Sequence, residues 1–103
     1  MRCQALGSRV AAMAGIDEDG YKAVDVALCG AAPKIRVNAL RTTTEKGEQV
    51  GVANLAKGIF SAFRNPAAHE TRLDWCMTEQ DALDMLGIVS LIHRRLDSAS
   101  VVR

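Results

Sequence analysis

Phe63-Arg64-Asn65-Pro66-Ala67-Ala68-His69-Glu70 is the stretch whose reading decides the fold. Upstream of it, Val52, Leu55, Ala56, Ile59, Phe60 and Phe63 recur at i, i+3, i+4 and i+7, the spacing of a helix with one apolar face. Pro66 has no backbone donor and biases Asn65 away from the helical region, so this helix should stop near Arg64, and another turn can start at Pro66. The break gathers an arginine, an amide and an imidazole on defined backbone. The helices before and after it form the central pair of an all-α bundle.

Downstream, residues 70–77 form a connection in which Leu73 and Trp75 are read as inward-facing anchors. Thr78 with Asp81 three residues on is a helix-start signal. Ala82, Leu83, Leu86, Val89, Ile92 and Leu96 then give the fourth helix a broad apolar face, with Arg94 and Arg95 in its last turns. Upstream of the central helix, Thr42-Thr43-Thr44-Glu45 has the hydroxyl and carboxylate spacing of a capping box, starting that helix near Thr43 or Thr44. Gly51 and Gly58, seven apart, share a face where a partner helix could approach closely. Glycine merely tolerated in the helix is the competing reading.

Leu6, Val10, Ala11 and Met13 put a first helix over residues 1–14, stopped by Gly15; Tyr21, Val24 and Leu28 put a second over 21–29, ended by Gly30. Lys34 to Val37 alternates polar and apolar residues, but a lone strand has nothing evident to pair with, so the segment is read as loop. At 103 residues the chain is one domain, 1–103, with a modest core that dimerisation would help to bury.

A hydrophobic fraction of 49% against 24% charged residues is ordinary globular composition, and this excludes a disordered tail. The net charge of +1 excludes a global nucleic-acid-coating field, so any RNA contact must rest on local arginines. Cys3, Cys29 and Cys76 are odd in number with no paired spacing, and two histidines complete no zinc pattern; the cysteines are read as reduced, buried thiols. With no apolar run long enough to span a membrane and no signal-peptide pattern, the expected location is cytoplasmic.

Cleaving RNA without a metal requires a base for the ribose 2′-hydroxyl proton, an acid for the leaving oxygen, and positive charge on the transition state. Arg64 is the candidate phosphate clamp, His69 the candidate base or acid, and Asn65 the residue that orients the imidazole or contacts phosphate. His93 and Arg94 on the fourth helix, with Arg64, are candidate RNA contacts, against a helix-terminal cation cluster as the plainer reading of His93 with its neighbours. The structural alternative stays open: Arg64 capping helix carbonyls, Asn65-Pro66 as an N-cap with a first-turn proline, His69 packed in the core. Glu70 is read as solvated, Asp81 as serving the helix start and Asp84 as ordinary surface. No metal site and no cofactor are expected, and Trp75 is assigned to the core rather than to base stacking.

Arg64, Asn65 and His69 resemble the arginine, polar residue, three variable residues and histidine of HEPN domains, helical bundles many of which are ribonucleases. Gly58-Ile59-Phe60, Phe63-Arg64-Asn65-Pro66, Ala68-His69-Glu70, Asp81-Ala82-Leu83-Asp84-Met85-Leu86 and Ser90-Leu91-Ile92-His93-Arg94-Arg95-Leu96-Asp97 resemble the Ymh family of bacterial and phage proteins. The resemblance is most specific from Gln49 to Ala99. It implies a HEPN-like bundle of about four main helices, with more helix before the first one, so this chain is expected to be shortened at its N-terminus. It also implies a symmetric homodimer that brings two motifs together and supplies two histidines. The function expected is a metal-independent endoribonuclease, in a toxin or phage-defence setting, with RNA, a second copy and an antitoxin protein as partners. The alternative is a noncatalytic helical module that binds RNA, a nucleotide or a partner protein.

Overall fold

Helix α1 spans Cys3–Ala14, α2 Gly20–Leu28, α3 Thr43–Ile59 and α4 Glu79–Asp97. The computed structural model describes residues 3–18, 20–64 and 78–102. Across these residues the chain is an all-α bundle: α1 packs on α2, α2 on α3, α3 on α4, and α4 returns to α1. The four helices sit where the apolar spacing puts them, within a residue or two at each described end.

Local chemistry explains each boundary. Gly15 (φ +68°) ends α1 in the left-handed region. Its N–H bonds to Ala12 O at 3.3 Å while Ile16 N–H bonds to Ala11 O at 3.1 Å, two bonds that use up terminal carbonyls. Gly30 (φ +95°) plays the corresponding part after α2. At the start of α3, Thr42 Oγ1 accepts from Glu45 N–H at 3.0 Å and the Glu45 carboxylate accepts from Thr42 N–H at 3.2 Å, a complete capping box. Thr78 Oγ1 accepts from Asp81 N–H at 3.1 Å and opens α4 in the same way.

The core joins Leu6 and Val10 of α1, Val24, Ala27 and Leu28 of α2, Val52, Ala56 and Ile59 of α3, and Met85, Val89, Ile92 and Leu96 of α4. Two expected faces need correction. Leu83 is 55% and Leu86 44% exposed, because the buried stripe of α4 runs through Met85 at i, i+4, i+7 and i+11 instead. Likewise Leu55, expected inside, is 43% exposed while Ala53 is buried, so the stripe of α3 is rotated by part of a turn. Tyr21 also faces outward, with the Lys57 ammonium 5.4 Å from its ring centroid. An alternative face one turn-fraction away was available to each helix, and only the neighbouring helices select between them.

The segment read as loop contains a strand. Ile35–Arg36 (β1) pairs antiparallel with Ser100–Val101 (β2), Ile35 opposite Val101 and Arg36 opposite Ser100. Val102 N–H adds a bond to Lys34 O at 2.8 Å. The partner lies some 65 residues away, beyond the reach of local spacing. Ile35 is thereby fully buried.

One polar side chain binds these parts together. Gln49, buried on α3, accepts from Val37 N–H through Oε1 and donates from Nε2 to Leu28 O and Ile35 O, all at 2.9 Å. Its amide caps the end of α2 and satisfies β1 backbone at the same time. Helices α1 and α2 approach closely at Gly7, where an added Cβ would lie 3.1 Å from Gly20 N and 3.3 Å from Phe60 Cζ.

Candidate functional site

Helix α3 does not stop at Ile59. It widens into a π-helical turn over Phe60–Arg64, whose last residue is the arginine of the sequence motif. A π turn places one more residue per hydrogen-bonded ring than an α turn, fits its neighbours less well, and often marks functional sites. Two features account for it here. Phe60, 1% exposed, is anchored against the close approach of α1 and α2. Its N–H is shared between Ala56 O and Lys57 O, which ties the start of the turn to the end of α3. At the other end Pro66 has no N–H to give to the carbonyl of Ala62, which frees that turn from the α pattern.

The backbone of Arg64 is thus carried to the end of α3 by a turn tied into the core. The Arg64 side chain, Asn65 and His69 lie outside the described residues, as do Glu70, Trp75 and Cys76.

The other two candidate residues are on α4 and point in different directions. His93 faces α1, where Arg9 Nη1 lies 2.9 Å from its Nδ1 and 3.3 Å from its carbonyl oxygen. Arg9 Nη2 meets Asp97 Oδ1 at 2.7 Å. A guanidinium can only donate, so Nδ1 carries the lone pair and the imidazole is neutral with its proton on Nε2. Partial burial lowers the His93 pKa from its ordinary 6.5, the Arg9 charge lowers it further, and Asp97 opposes them. Arg94 is exposed, and its Nη1 donates to Ser90 Oγ on the same helix at 2.8 Å. Arg95 reaches α3, where its Nε lies 3.4 Å from Glu48 Oε2. Three successive residues of α4 therefore serve α1, solvent and α3.

Arg9 was not singled out from the sequence, because its partners lie 84 and 88 residues away. Asp81 sits in the first turn of α4, and Asp84 accepts from Gln80 Nε2 at 2.8 Å. Among the described residues no three His, Cys, Asp or Glu side chains converge. Cys29 is a free thiol, partly buried, 3.6 Å from the Lys57 ammonium that Asp25 holds at 3.1 Å.

A shallow apolar groove of about 410 Å³ runs along the outer side of α3 and α4, lined by Gly51, Asn54, Leu55, Gly58, Ile59 and Ile88. A Cβ at Gly51 or Gly58 would meet nothing within 4 Å. Among the described residues the glycine face is therefore open. No helix among the described residues is long and apolar enough to cross a membrane.

The family described as "Protein of unknown function (Hypoth_ymh)" matches residues 2–96. No curated protein and no solved structure matches the chain.

Proposed function

The chain belongs to the Hypoth_ymh family, and from that premise we propose that it is a metal-independent endoribonuclease of HEPN type that works as a homodimer. The observation that carries this reading is the π turn ending at Arg64, a departure from regular helix placed at the first residue of the Arg64-Asn65-His69 motif.

In this mechanism His69 of one copy takes the ribose 2′-hydroxyl proton, and the freed oxygen attacks the adjacent phosphorus. The bond to the 5′-oxygen breaks, and that oxygen receives a proton from His69 of the second copy. The products are a 2′,3′-cyclic phosphate and a 5′-hydroxyl. Arg64 holds the phosphate oxygens while negative charge builds on them, and Asn65 orients the imidazole. Arg94, exposed on α4, and His93, through its Nε2 proton, extend the RNA contact.

The groove over Gly51 and Gly58 is the proposed contact between copies. A two-fold arrangement lets one patch meet itself, and Gly58 lies only about 9 Å along the helix from Arg64. With no membrane-length helix among the described residues, the proposed site of action is the cytoplasm, as a toxin or phage-defence effector held by an antitoxin.

An otherwise DNA oligonucleotide with a single internal ribose tests the chemistry. The proposal expects one cut, 3′ to the ribose, leaving a cyclic phosphate. Binding of the oligonucleotide without any cut transfers the protein to the noncatalytic class.

A further inference from the structure

A second site lies at the other end of α3. Where the loop after α2, β1 and the first turns of α3 meet, they enclose a cleft of about 470 Å³, within the size range of small-molecule sites. Two cations line it, Arg36 on β1 and Lys46 on α3, and no acidic side chain does. Arg36 Nε donates to Pro33 O at 3.4 Å. This steadies the guanidinium, and among the described residues both Nη groups are left for a ligand, a planar fork matched to phosphate oxygens. Among the described residues the Lys46 ammonium meets no carboxylate.

Beside these cations and exposed backbone, the lining carries the apolar side chains of Ala31, Pro33, Ala39, Leu40 and Val50. Gln49 also reaches the wall, but both of its N–H donors are taken by Leu28 O and Ile35 O, which leaves none for a phosphate. Leu40 sits in the left-handed region at φ +56°, held by the Asn38 side chain accepting its N–H at 2.8 Å. A non-glycine residue kept in that conformation at a cleft rim is a feature that functional sites share.

From this arrangement we propose that the Arg36–Lys46 cleft binds a small phosphate ester with an apolar body, of the size of a nucleoside monophosphate. Paired cations take the phosphate, and the alanine, proline, leucine and valine surfaces take the base. The cleft is separate from the motif end of the helix, since Lys46 and Arg64 are roughly 25 Å apart along one helical path.

The test is a titration of the ¹⁵N-labelled chain with AMP at low ionic strength, with adenosine as the phosphate-free control. AMP should give saturable shifts at Arg36, Leu40 and Val50, and adenosine should give none. Arg36→Gln and Lys46→Gln should each weaken AMP by about tenfold or more, and Arg64→Ala should leave it within about twofold. Lys46 is exposed and outside the β1–β2 pair, so Lys46→Gln decides the matter if Arg36→Gln disturbs the fold. The proposal is overturned if AMP gives no saturable shift, if adenosine binds equally well, or if Lys46→Gln binds AMP normally. Shifts produced at these residues by single-stranded RNA but not by AMP also overturn it.

Discussion

Replacing Gln49 by leucine tests whether one buried amide joins α2, β1 and α3. The substitution keeps the volume near that of glutamine but leaves Val37 N–H, Leu28 O and Ile35 O without the partner each has at 2.9 Å. Each buried polar backbone group left unpaired costs about 1–3 kcal/mol. Three of them, partly relaxed, amount to about 3–5 kcal/mol, a large share of the 5–15 kcal/mol typical of a domain. At this chain length a loss of 1 kcal/mol lowers Tm by about 4–8 °C, so Gln49→Leu should drop it by about 12 °C or more. Urea unfolding followed by circular dichroism gives the free energy directly. Gln49→Glu adds a pH signature, since an ionised carboxylate opposes the two carbonyls and its destabilisation should shrink as acid protonates it. A Gln49→Leu protein that loses less than about 1 kcal/mol would refute the reasoning.

Acid should loosen the contact between α1 and α4. The His93 pKa is lowered in the folded chain, so its contribution is present above about pH 6.5 and is lost as pH falls through the folded value. His93→Asn keeps an acceptor for Arg9 without a titrating proton, and its stability curve between pH 7 and 5 should be flatter than that of the wild type; equal slopes would remove His93 from the account. Gly51→Ala and Gly58→Ala should raise the stability of the isolated chain by about 0.5–1 kcal/mol each while weakening self-association in sedimentation, and unchanged association would place the interface elsewhere. Gly7→Val should be severely destabilising in thermal melts, because even a Cβ there is 3.1 Å from Gly20 N. Thr42→Ala should cost about 1 kcal/mol through loss of the α3 cap.

The helices were readable because their signals are local. Thr42 with Glu45, Gly15, Gly30 and the 3.6-residue spacing of Leu6 with Val10, or of Val89 with Ile92 and Leu96, each act within a few residues. What escaped the sequence reading depends on partners far along the chain. The β1–β2 pair, the Gln49 amide bonds and the Arg9–His93–Asp97 cluster join segments separated by 12 to 88 residues. The misjudged faces at Leu55, Leu83 and Leu86 have the same origin, since an amphipathic helix with apolar residues on more than one side is oriented by its neighbours. At the candidate site, the break expected at Asn65-Pro66 lies outside the described residues, and the π geometry of Phe60–Arg64 was not legible because it depends on where the core holds Phe60.

The central claim is tested most directly by RNA cleavage in excess EDTA, with the purified chain beside Arg64→Ala and His69→Ala variants of matched folding and oligomeric state. The account predicts that the wild-type chain cuts a mixed RNA pool and that both variants lose the activity. A folded, dimeric wild-type protein that cuts nothing, or variants that cut as well as it does, would contradict it.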